Sequence, residues 1–106
     1  MKVKEILACL EEKFPLAYQE SYDNVGLITG DREAEATGVL ICLDVSEVVI
    51  DEALALGANV IVSHHPLIFH GIKKLNPGAY PDRVLIRAVR NHLNLYACHT
   101  NADNIK

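Results

Sequence analysis

The chain contains no tryptophan, and only 6% of its 106 residues are aromatic. Single-stranded nucleic acid is held largely by stacking bases on aromatic side chains, and a sequence this poor in them has no such platform. A basic stripe is missing as well. Ten Lys and Arg are scattered among fourteen Asp and Glu, for a formal charge of −4, so nothing here would neutralise a phosphate backbone. Nucleic acid is not an expected partner. No apolar run approaches the ~20 residues that a membrane-spanning helix needs. The N-terminus also lacks the signal-peptide order of charge, apolar core and small-residue cleavage site. There is no C-x-x-C pair, no glycine-rich phosphate loop, no internal repeat and no low-complexity tract. Cys9, Cys42 and Cys98 are an odd number, widely spaced, each inside an apolar segment. They read as reduced core thiols of a cytoplasmic protein rather than zinc ligands.

Half of the residues are hydrophobic, a globular composition at a length that suits one domain with a modest core. Val3, Ile6, Leu7, Leu10 and Phe14 recur at helical spacing, so residues 2–14 are expected to form a helix with one buried stripe, closed by Pro15. Ser21-Tyr22-Asp23-Asn24-Val25-Gly26-Leu27 has the composition of a turn, and residues 25–28 follow as a short strand. The apolar run Val39-Leu40-Ile41-Cys42-Leu43 is consistent with a buried strand. Ser46 is placed to cap a helix over residues 47–56, with acidic Glu47 in its first turn and Gly57 as a left-handed stop. A strand over residues 59–62, a helix over 81–91 and a strand over 93–98 complete two βαβ units. The fold class expected is α/β: a mostly parallel sheet with helices on its faces.

The most distinctive stretch is Ser63-His64-His65-Pro66-Leu67-Ile68-Phe69. A β-branched strand leads into two adjacent imidazoles, and Pro66 then stops the ladder because it has no N–H. A single histidine there reads as a strand cap or a surface group; two side by side favour metal binding. Parallel strands bring further candidates to the same rim. Asp44 follows one strand, and His99 and Asp103 follow another, and ligands of open α/β sheets bind beyond those carboxyl ends. Imidazole and carboxylate without thiolate suit Zn, Fe, Mn or Ni. Adjacent His64 and His65 are expected to diverge, one serving each of two ions with Asp103 between them. Such a pair would polarise a substrate oxygen and acidify a bound water. Each residue also has a plainer role. Asp44 reads more naturally as a helix cap or a support for Ser46, and His99 as an outer-shell group. His70, His92, Lys73 and Lys74 read as solvated surface.

Taken in order, Ser21-Tyr22-Asp23-Asn24-Val25-Gly26-Leu27, Leu43-Asp44-Val45, Ser63-His64-His65-Pro66-Leu67-Ile68-Phe69 and His99-Thr100-Asn101-Ala102-Asp103 resemble the NIF-three-like dinuclear metal proteins. These are also named GTP cyclohydrolase I type 2 homologs. The resemblance covers essentially the whole chain. It implies an α/β fold, two divalent ions per full-length site and a ring-shaped homohexamer. It also implies His64, His65 and Asp103 as metal ligands; His99 and Asp44, on their placement alone, would stand in support behind them. Tyr22 stands where the family usually has Trp. The family's C-terminal His-x-x-x-Glu motif has no counterpart here, so the single domain spanning 1–106 is expected to match the N-terminal half of a relative and to be incomplete at its C-terminus.

Two functions compete on this footing. One is a metal-dependent hydrolase half-site acting on a small molecule, a nucleotide or phosphoester, with nothing in the sequence that reads a purine. The other is a non-catalytic metal-binding assembly or regulatory module. A third, plainer possibility is a folded fragment in which the histidine pair is structural.

Overall fold

The computed structural model describes residues 1–13, 26–67 and 74–98. Phe14, the turn over residues 21–25, His70, Lys73, His99 and Asp103 lie outside the described residues. The elements, in chain order, are α1 (Val3–Lys13), β1 (Gly26–Thr29), β2 (Val39–Cys42), α2 (Glu47–Leu56), β3 (Val60–Ser63), α3 (Tyr80–Arg90) and β4 (Asn94–Ala97). The four strands form one sheet in the order β1-β4-β3-β2. β2, β3 and β4 run parallel, and β1 runs antiparallel to β4. The chain is therefore α/β with a mostly parallel sheet.

Local chemistry explains why the elements begin and end where they do. The Ser46 side chain accepts a hydrogen bond from the Val49 N–H at 3.3 Å, and Gly57 closes α2 at φ 73°. A serine cap satisfies one orphan N–H of the first turn, and glycine takes the left-handed stop without a Cβ penalty. α3 starts at Tyr80 with Pro81 in its first turn, where a missing N–H costs nothing. Arg83 and Arg87 of α3 reach across to α2, Arg83 Nε to Glu47 Oε2 at 3.1 Å and Arg87 to Asp51 Oδ1 at 2.6 Å.

The two faces of the sheet are covered unequally. Ile50 and Ala53 of α2 and Val84 and Ala88 of α3 pack with Ile61 and Leu95 on one face. On the other, Val3 and Leu7 of α1 pack with Val60, Val62, Tyr96 and Cys98. β3 is buried along its whole length, as its β-branched run led one to expect, and so is β4.

β2 is not a buried strand. It lies at the edge of the sheet with alternating exposure. Leu40 and Cys42 pack against the α2/α3 core, while Ile41 is 77% exposed. Val39 and Leu43, at the neighbouring positions on the same face, are exposed too. The run is apolar on both faces, but α1 does not extend over β2, so one face stays open. Cys9 also departs from expectation, being exposed. The buried stripe of α1 runs through Val3 and Leu7, and position 9 lies on the opposite side of a helix with 3.6 residues per turn.

Cys98, by contrast, is buried. Burial, and secondarily the carboxylate of Glu11, push its thiol up to about 11 from an ordinary value of 9.0. The folded state thus holds the proton more tightly than the unfolded chain does, and stability must fall as pH climbs through that window. Tyr96, raised by the same burial, adds to the loss at higher pH. The denaturation midpoint is expected to decline from about pH 9 upward. Urea titrations at stepped pH check this, and Cys98→Ala should shrink the onset of the decline.

Candidate metal centre at the carboxyl rim

Register decides which side chains meet beyond the strand ends. β2 and β3 pair Val39 with Val60 and continue in step to Cys42 opposite Ser63. β3 and β4 pair Ser63 with Ala97. One residue further on, Leu43, His64 and Cys98 form a cross-strand row. The next row sets Asp44 beside His65.

The chain leaves the regular ladder here but stays anchored. His64 N–H donates to the Cys42 carbonyl at 3.1 Å and His65 N–H to the Leu43 carbonyl at 2.9 Å. Ser63 Oγ donates to the His65 carbonyl at 2.8 Å, and Cys98 N–H donates to the Ser63 carbonyl at 2.9 Å. Pro66, buried, then ends the pairing, as its missing N–H requires. The β2 side thus fixes the amides of the histidine pair, while the β4 side holds Ser63 just before it.

The imidazoles do not splay apart as strand alternation would have them. Their ring centroids are 5.0 Å apart with planes tilted by 57°. Alternation applies only while the strand continues, and β3 ends at Ser63. The carboxylate of Asp44 Oδ1 lies 2.7 Å from His65 Nδ1. Capping of α2 is done by Ser46, so Asp44 serves the rim and not the helix. His65 is half-exposed and Asp44 largely exposed, so solvent reaches the pair.

His64 borders a different environment. Together with Leu10, Ile41, Leu43, Val62 and Cys98 it lines a broad apolar groove of ≈ 630 Å³ between α1 and the uncovered face of β2. Sequence reasoning missed this groove. The sign was there in Ile41 and Leu43, which share a face of an apolar run whose cover cannot be inferred locally. His92, expected at a helix end, sits just past α3 with φ 56°, away from the rim. Lys74 is exposed.

Among the described residues no three of His, Cys, Asp and Glu come close enough together to hold an ion. The described rim therefore offers two imidazoles, one of them braced by a carboxylate. That donor set suits a borderline divalent ion and falls short of a closed site. Among the described residues, no helix is long and apolar enough to cross a membrane.

The sequence and fold have known relatives. The family model described as Duf34/NIF3 (NGG1p interacting factor 3) matches residues 1–106. A GTP cyclohydrolase 1 type 2 homolog of Clostridium perfringens is 41% identical over all of this chain, which spans 40% of that protein. Among solved structures, a Bacillus cereus protein related to NIF3 superposes with TM-score 0.91 at 38% identity, over 97% of this chain and 28% of that one. Reduced HcgD from Methanocaldococcus jannaschii gives 0.85 at 33%, over 95% and 40% respectively. The chain thus spans less than half the length of the relatives it matches. With the whole of its sequence matched by the family model and its fold shared with members across that length, the chain belongs to the Duf34/NIF3 family.

Proposed function

We propose that this chain supplies the histidine half of a dinuclear divalent-metal centre in a cytoplasmic, hydrolase-like protein acting on a small nucleotide or phosphoester. The observation that carries the reading is the rim itself: His64 and His65 side by side at the carboxyl ends of a parallel sheet, with Asp44 bonded to His65. His64, His65 and Asp103 would be the ligands, with His99 behind them. The ions would be Zn, Fe, Mn or Ni, since the donors are nitrogen and oxygen. Bound there, a divalent ion supplies Lewis acidity towards a substrate oxygen and acidifies water. The chain's own part is to hold two imidazoles at fixed spacing on a backbone whose amides bond to the carbonyls of Cys42 and Leu43 at the end of β2. The groove beside His64 is lined mostly by apolar side chains, which supports a substrate or a further segment with an apolar face at that end.

A second reading, a metal-binding assembly module without turnover, is favoured by the surface. Ile41 and Leu43 are exposed at the open edge of the sheet, and Val48 and Leu56 are exposed on α2. Apolar surface of this kind marks contact with another polypeptide. In the longer relatives that contact would be homohexamer formation or packing of further sequence.

Elemental analysis tests the centre. Purified chain is expected to carry near-stoichiometric Zn, Fe, Mn or Ni, and a His64→Ala/His65→Ala double variant none. A chain that stays empty after soaking in each metal overturns the metal reading. Turnover is tested on the longer protein: phosphoester or nucleotide hydrolysis that needs the metal and vanishes in His65→Ala supports the enzyme. Metal uptake without hydrolysis across a broad panel leaves the assembly module.

A further inference from the structure

We infer that Asp44 is a positioning residue, holding the His65 ring in the tautomer and orientation that present Nε2 to an ion before any ion arrives. The inference rests on the metal reading proposed above and names a device within it. An ionised carboxylate can only accept hydrogen bonds. At 2.7 Å from Asp44 Oδ1, His65 Nδ1 must therefore carry the proton. In a neutral imidazole the other nitrogen, Nε2, then bears the ligating lone pair. The free ring does not enforce that choice; the carboxylate does.

The sheet is what makes the contact dependable. Asp44 stands just beyond β2 and His65 just beyond β3, on neighbouring parallel strands whose register carries Cys42 to Ser63 and so sets the two residues in one row. The main chain is locked from the same side, because His65 N–H donates to the carbonyl of Leu43, the residue before Asp44. One strand end thus fixes both the backbone and the ring of the histidine. The edge strand β2, apolar and open on one face, acquires a task that its burial does not explain: it delivers this carboxylate. His64 borders the apolar groove instead, so the two imidazoles are held by different means.

The test compares the 106-residue chain with Asp44→Ala and Asp44→Asn, with the histidine rings labelled with nitrogen-15. Long-range proton–nitrogen correlation in metal-free protein at about pH 8, above the ordinary histidine pKa, reads the His65 tautomer directly. Zinc titration reads affinity. The wild type is expected to show Nδ1 protonated, and Asp44→Ala to shift the proton towards Nε2. Zinc affinity should fall by about 10–100-fold in Asp44→Ala, the usual cost of losing a hydrogen-bond partner behind a ligand. Asp44→Asn, which still offers an accepting oxygen, should keep the tautomer and lose less. The Asp44 side chain is 70% exposed, so all three proteins should unfold at similar temperatures. An unchanged tautomer in Asp44→Ala overturns the inference, as does a swapped tautomer with zinc affinity intact. A wild type that takes up no zinc overturns the metal reading itself. That failure is told apart because the tautomer is read without metal, and Asp44 then merely holds a structural histidine.

Discussion

Replacing Gly30 with alanine is expected to lower the unfolding free energy by about 3 kcal/mol, from backbone strain and disrupted hydrogen bonds together. Gly30 has φ 145°, and a Cβ there would collide with the side chain of Asn94. Asn94 cannot step aside cheaply. It is 1% exposed; its Oδ1 accepts from Asp31 N–H at 2.7 Å, and its Nδ2 donates to the Asn59 carbonyl at 2.9 Å. Asn59 in turn accepts from Thr37 N–H through Oδ1 at 2.8 Å and donates to the Glu35 carbonyl at 2.8 Å. These two amides stitch the loop before β2 to the amino ends of β3 and β4. Displacing the Asn94 amide would break its part-buried bonds to the Asp31 N–H and the Asn59 carbonyl, leaving that carbonyl with the Asn94 backbone N–H alone. In a domain of this size the loss corresponds to a melting shift of about 15 °C, well within calorimetric resolution. Gly57→Ala is the control. It too has positive φ, at 73°, but nothing stands within 4 Å of its missing Cβ. Its expected cost is about 1 kcal/mol. Equal losses at the two sites would show that strain alone, and not the Asn94 collision, dominates at Gly30.

Ile61→Ala is expected to cost about 3–4 kcal/mol, while Ile41→Ala should cost almost nothing. Both isoleucines lie in parallel strands one place apart in register, Leu40 facing Ile61 and Ile41 facing Val62. Ile61 is fully buried in the cluster under α2 and α3, whereas Ile41 is 77% exposed. Removing the first leaves a cavity lined by Ile50, Val84 and Leu95, which the packed helices cannot collapse. Removing the second trims apolar surface that water already touches. Chemical denaturation of the two variants decides the matter. A large loss at Ile41 would mean that the open face of β2 is covered in solution, and so would point to self-association.

The contrast between these isoleucines also marks how far the sequence can be read. α2 was legible almost to the residue because its boundaries are chemical: Ser46 and Gly57 act locally. β3 was legible because its β-branched run suits burial on both faces, and β4 because an apolar segment, residues 93–98, follows a helical one. β2 shows the same composition for a different reason. Nothing within Val39–Leu43 records that α1 stops short of it, so an open strand looks like a buried one. Cys9 could have been placed correctly from its angle to Val3 and Leu7 on α1. The bond between Asp44 and His65 needed the register, which no local pattern encodes; the acidic residue beside a good cap looked like part of the cap. Asp103 and His99 lie outside the described residues, so the remainder of the centre rests on the family resemblance.

The position of β2 has one more consequence, for how long the rim lasts. Stability is not spread evenly through a sheet; strands at its margin open more often than those within it. β3 and β4 are buried at every residue, and β2 is not. Peeling β2 away would remove Asp44 and, in the same event, the carbonyls of Cys42 and Leu43 that hold the His64 and His65 amides. The domain would remain folded around its two central strands while the rim came apart. The lifetime of the histidine arrangement is therefore set by local opening of the margin and not by global unfolding. A bound ion, or a neighbour laid along β2, would lengthen that lifetime without adding anything to the core.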